Sequence, residues 1–156
     1  VVGRAGDDDM KFSEAKQGRI FIIKLDQNDV LQETIERFAA EHKISAAMLV
    51  GLGAADDKSV LVAGPMDGEE RPVKQIPEVL DDVHEIVAVG TIFPNEAGKP
   101  ALHMHAAAGR RGSTITGDVR KGVRIWQVGE IVLIELLETK ATRKHEPKIG
   151  LSLLSP

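Results

Sequence analysis

Residues 100–119 read P-A-L-H-M-H-A-A-A-G-R-R-G-S-T-I-T-G-D-V. Residues 101–108 and 113–119 flank a glycine- and arginine-containing stretch, 109–112, and are expected to fold back on each other as an antiparallel hairpin. Side chains two apart on a strand share a face. His103 and His105 therefore stand with Ala101 and Ala107 on one side, and Leu102, Met104, Ala106 and Ala108 line the other. With the turn centred between Arg110 and Arg111, Asp118 faces His103 and Thr116 faces His105; opposed residues project to the same side, about 5 Å apart. A slip of one residue would send Asp118 to the wrong face.

Working outward, residues 84–93 (H-E-I-V-A-V-G-T-I-F) read as a strong strand with Glu85, Val87, Val89 and Thr91 on one face. Residues 123–137 form a long apolar core strand, bulged at Gly129. Short strands are expected at 58–63 and 73–76, and residues 149–154 add a short strand or a clasp. Nearer the N-terminus, 19–25 (R-I-F-I-I-K-L) is nearly continuously apolar, which predicts a strand covered on both faces or lying in a curved sheet. Asp29 with Gln32 has the capping-box pattern, and Leu31, Ile35, Phe38 and His42 make one helical stripe, so a helix is expected over about 30–42. His42 reads as a C-terminal cap or packing group. Residues 44–52 form another buried strand, and G-L-G at 51–53 lacks the three spaced glycines of a dinucleotide fingerprint. Residues 1–17 are polar and carry three consecutive aspartates, which predicts a flexible arm before a single domain over 18–156. One helix and about seven or eight strands make an α+β domain with a mostly antiparallel, curved or barrel-like sheet.

The chemistry of the hairpin suits a metal site. Two imidazoles on same-face positions converge on one ion, Asp118 supplies a carboxylate, and the small neighbours leave room. A divalent ion is implied, zinc first, although Fe(II), Mn(II) and Ni(II) accept the same ligands. Remaining coordination positions would take water or a small-molecule ligand. The alternative is a metal-free polar patch or subunit contact. Glu130, beside Gly129 in the long strand, and Glu85 are the candidate acid–base groups. His84 and His145 read as structural or surface residues. Neither a nucleophile elbow nor a phosphate-binding loop is present. Arg110, Arg111, Arg120, Lys121 and Arg124 form the one basic concentration, near the hairpin tip.

Composition narrows the classes. The 156 residues contain no cysteine, so thiolate ligands, thiol nucleophiles and disulfides are ruled out. That absence, with no signal-like apolar segment in residues 1–9, predicts a cytoplasmic protein. No apolar run approaches the roughly 18 residues of a membrane span. The net charge of −4 argues against non-specific nucleic-acid binding, and four phenylalanines, one tryptophan and no tyrosine leave little for base stacking.

The ordered segments R-I-F-I-I-K-L, H-K-I-S-A-A-M-L-V-G-L-G-A, E-I-V-A-V-G-T-I, the hairpin with its L-H-M-H-A core, and V-G-E-I-V-L-I-E-L resemble the plant-and-prokaryote-conserved (PPC) domain over about residues 19–154. The resemblance implies a compact α+β domain that assembles as a homotrimer. It also implies that His103 and His105 are metal ligands together with a third histidine in a G-G-H-L segment. Here that segment is Thr116, Gly117, Asp118 and Val119, so Asp118 stands in the third position. The plant segment G-R-F-E-I-L corresponds to residues 82–87, whose first three have diverged. Family members are often described as DNA-binding; this acidic chain has no R-G-R-P core, and direct DNA binding is not carried over. The resulting expectation is a metal-binding, trimeric PPC-domain protein of unassigned activity, with a regulatory role compatible. The alternatives are a metal-dependent hydrolase or lyase using His103, His105 and Asp118 with Glu130 or Glu85 as base, and a DNA-binding protein using the basic tip.

Overall fold

Strict alternation organises the centre of the molecule. In β7 (His84–Pro94) Ile86, Ala88 and Ile92 are buried while Glu85, Val87 and Val89 are exposed. In β8 (Pro100–Arg110) Leu102, Met104, Ala106 and Ala108 point to the same interior. The computed structural model describes residues 2–3 and 10–156. The chain runs through β1 (Val2–Gly3), β2 (Phe12–Ser13), β3 (Lys16–Asp26), α1 (Leu31–Glu41), β4 (Ala47–Ala55), β5 (Val60–Pro65) and β6 (Gln75–Val79) before β7 and β8. It continues through β9 (Ser113–Asp118), β10 (Ile125–Leu137), β11 (Thr142–Glu146) and β12 (Leu151–Ser155). Part of the arm expected to be flexible, residues 4–9, lies outside the described residues; Val2–Gly3 pairs with Phe12–Ser13, and Lys16 and Gln17 already belong to β3.

Eight strands form one antiparallel sheet in the order β3-β10-β4-β7-β8-β9-β5-β6, and β11 pairs with β12 separately. The sheet is open, with β3 and β6 at its edges, rather than closed into a barrel. The β3-α1-β4 unit does place its strands in the same sense, but β10 runs antiparallel between them.

Helix α1 covers the inner face. Leu31, Ile35 and Ala39 are fully buried against it, each large side chain contributing about 1.5–3 kcal/mol of burial. The expected capping box does not form. Val30 is the N-cap, without a side-chain hydrogen bond, because the Asp29 carboxylate instead accepts the Asp26 N–H at 2.8 Å. His42 is the C-cap; its Nδ1 lies 3.0 Å from the Phe38 carbonyl and its ring stacks on Phe38 at 4.1 Å, as a capping and packing group should.

The outer face is largely uncovered; only at one end do Phe93, Ala46 and Ala141 lie buried, where β11 packs against β7. Ile20 and Ile22, expected to be covered if β3 were buried on both faces, are exposed, Ile22 at 80%. Met48, Val50, Leu52, Val87 and Val89 continue this apolar surface across β4 and β7. The irregularity expected at Gly129 lies against β4 between Trp126 and Gly129, where Gln127 takes a positive φ of 61°. Among the described residues no helix is long and apolar enough to cross a membrane.

Candidate metal centre

The hairpin β8–β9 forms, with a turn one residue later than expected. Arg110 pairs with Ser113, leaving Arg111 and Gly112 as the two-residue turn. Their φ values, 49° and 82°, are both positive, as a type I′ turn requires, and glycine at the second position decides the centre. The cross-strand partners change accordingly. Asp118 is opposite His105 rather than His103, and Thr116 is opposite Ala107 rather than His105. A shift of the turn centre by one residue moves each partner by two, so every side chain keeps its face. His103, His105 and Asp118 therefore remain together on the outer face.

Their ligand atoms converge. His103 Nε2 and His105 Nε2 are 3.2 Å apart, and Asp118 Oδ2 lies 3.4 Å from the first and 3.9 Å from the second. Donor atoms around a tetrahedral zinc with bonds of about 2.0–2.1 Å are separated by about 3.3–3.4 Å, so the three residues fit one ion. Two facing imidazole nitrogens at this distance either share a proton or both ligate a cation.

Arg120 orients the carboxylate. Its backbone N–H donates to Asp118 Oδ1 at 2.8 Å, an Asx-type turn that ends β9, and its guanidinium folds back to donate to Oδ2. Asp118 itself is only 5% exposed. Burial pushes its carboxyl up, but the hydrogen bonds from Arg120 outweigh this and hold it below the ordinary carboxylate range. It is thus a charged acceptor, the form a metal requires. His103 is shifted down, first by burial and then by Arg143, His105 and Arg120, with Asp118 opposing; the neutral imidazole is favoured.

Arg143 of β11 was not anticipated as part of this neighbourhood. It is 6% exposed, and its Nη2 donates at 2.8 Å to the hydroxyl of Thr91, the residue directly across β7–β8 from His103. Arg120 carries a local signal, two residues after Asp118 across a turn. Arg143 carries none, since it arrives from a separate hairpin.

The other candidates stand apart from the cluster. Glu130 and Glu85 are exposed on the outer face. Glu130 is opposite Leu52, Leu52 opposite Val87, and Val87 opposite Ala107, three strand spacings or about 14 Å from β8. Glu85 is opposite Gly109, four residues along from His105, about 13 Å. Glu130 and His105 do line one open groove of about 890 Å³, floored by Val50, Val87 and Val89. His84 is buried with Nδ1 3.1 Å from the Asp82 carbonyl, and His145 is exposed. The basic concentration is divided: Arg110 is paired with Asp82 and Arg120 with Asp118, while Arg111, Lys121 and Arg124 are exposed.

Comparison with known proteins agrees with this architecture. A metal-containing protein from Archaeoglobus fulgidus superposes with a TM-score of 0.79 at 26% identity, covering 94% of this chain and 100% of that one. A PPC protein from Pyrococcus horikoshii gives a TM-score of 0.77 at 21% identity, covering 94% and 98%. The bifunctional protein GlmU of a Synechococcus strain is 27% identical over 135 residues, which is 85% of this chain but only 20% of that protein. The sequence matches the Plants and Prokaryotes Conserved (PCC) domain over residues 12–137, and with the sheet, helix and hairpin described above the chain belongs to that family.

Proposed function

We propose that this chain is a divalent-metal-binding protein of its family, holding the ion with His103, His105 and Asp118 and working as a trimer joined through the outer sheet face. The observation that carries the metal reading is the mutual approach of the three ligand atoms, at 3.2, 3.4 and 3.9 Å. The A. fulgidus protein, which is metal-containing, supports it. Two imidazoles and one carboxylate in this spacing suit zinc first. A bound divalent cation supplies Lewis acidity at this position. The chain's own part is to present neutral imidazole at His103, to hold Asp118 ionised, and to fix that carboxylate with both donors of Arg120. The trimer reading draws on the family resemblance and on the exposed Ile20, Ile22, Val50, Leu52, Val87 and Val89, a contiguous apolar surface larger than scattered single residues explain.

The test is elemental analysis of untagged protein after equilibration with zinc and removal of excess by gel filtration. Wild-type protein is expected to retain zinc stoichiometrically, and His103→Ala and Asp118→Ala are expected to lose it while keeping the circular dichroism of the fold. Retention by both variants, or no retention by the wild type, overturns the reading.

A further inference from the structure

We infer that the metal centre is built to take a small oxyanion, a carboxylate- or phosphate-bearing ligand, gripped by the guanidinium of Arg143. The inference rests on the metal reading above and adds the class of the external ligand.

Arg143 is a buried cation without a matching carboxylate. Its Nε donates to the Ala101 carbonyl at 3.4 Å, and its Nη2 donates to the Thr91 carbonyl at 3.4 Å and the Thr91 hydroxyl at 2.8 Å. All of these acceptors are neutral. Nη1 donates to no protein acceptor among the described residues, and no carboxylate among them is in ion-pair contact with the group. The Phe93 ring, 5.8 Å away, adds a weak cation–π contact. Buried charges are ordinarily paired, because an unpaired one loses its hydration without compensation.

The missing counter-charge has an evident place. Arg143 is held by Thr91, cross-strand from His103, and by the carbonyl of Ala101, two residues before His103 on β8. Asp118, the carboxylate of the cluster, is already matched by Arg120. A divalent cation added to this arrangement leaves a centre with a large surplus of positive charge, and a small anion bound there restores the balance. The guanidinium suits this role: its planar fork donates to two oxygens of a carboxylate or phosphate at once, which an ammonium does not.

The probes are inorganic phosphate and acetate, added separately to the full chain loaded with Co²⁺ and followed through the visible absorption of the cobalt. A saturable change with either anion is expected, and the anion that produces it distinguishes phosphate-bearing from carboxylate-bearing ligands. Arg143→Gln is expected to weaken that response about 30-fold or more, while cobalt affinity, measured by chelator competition, is maintained or tightened. Where Arg143→Gln does not fold, Arg143→Lys keeps the charge without the fork and is expected to weaken the response by a smaller factor. A cobalt-loaded wild type that responds to neither anion, or variants that respond as the wild type does, overturn the inference and leave the metal reading standing. A wild type that takes up no cobalt overturns the metal reading. Calorimetry of the metal-free chain with phosphate and with acetate then decides the anion site, sustained by saturable heat with either anion that Arg143→Gln abolishes and ended by its absence with both.

Discussion

Glu135, in β10, is a buried carboxylate held by Arg19. The guanidinium donates to its two oxygens at 2.7 Å each, and the Arg19 backbone N–H adds a third bond at 3.1 Å. These bonds hold the carboxyl below its ordinary range, with burial acting in the opposite direction. Since the folded value is the lower one, the unfolded chain takes up the proton more readily. The stability Glu135 contributes is therefore complete above the unfolded value, about 4.3, and is lost as the pH falls through the folded value. Urea unfolding at a series of pH values is expected to show wild type more stable than Glu135→Gln at neutral pH, with the gap closing below about pH 4.3. At this same scale the residues of the candidate metal site were readable unevenly. His103, His105 and Asp118 follow from period-two alternation, which survives an error of one in the turn centre. Arg143 does not, because its approach to Thr91 depends on how the β11–β12 hairpin lies against β7.

Strand β9 is the element on which the centre depends, since it delivers Asp118 between β8 and β5. Val62 of β5 is the partner of Asp118 on that side, and the backbone of Val62 comes so close to Gly117 that an added Cβ would overlap it. Gly117→Ala is expected to push β9 from β5, costing about 1–3 kcal/mol in urea unfolding and weakening zinc affinity in chelator competition. A variant as stable and as zinc-competent as wild type would show that the approach is not structurally required. The hairpin itself was legible from the turn and the alternation. Its register was not, because G-R-R-G offers several two-residue turns and only the positive φ at both Arg111 and Gly112 selects one. Helix α1 was legible from its stripe, but its cap was not: the carboxylate of Asp29 has a competing donor at the Asp26 N–H.

For the whole molecule the governing feature is the asymmetry between the two faces of the sheet. The inner face is closed by α1, whereas the outer face leaves Val87 71% exposed near its middle. A trimer through this face is expected to give a sedimentation mass three times that of the chain, and Val87→Glu to shift it to the monomer by placing a charge in the contact. A wild type that sediments as a monomer would remove the trimer from the reading. Continuous apolar runs such as 19–25 and 44–52 signal strands, but they do not say whether the second face meets a helix, another sheet or another copy.

The order of residues alone determined the class of fold, the identity of the helix and main strands, and the face on which two histidines and an aspartate meet. Those properties depend on local periods of 2.0 and 3.6, which are written into neighbouring residues. Tertiary structure decided the open sheet, the placement of β10 between β3 and β4, the turn register, the separation of Glu130 and Glu85 from the cluster, and the arrival of Arg143 beside it. Each of these depends on residues far apart in the chain, whose distances are set by packing rather than by sequence spacing.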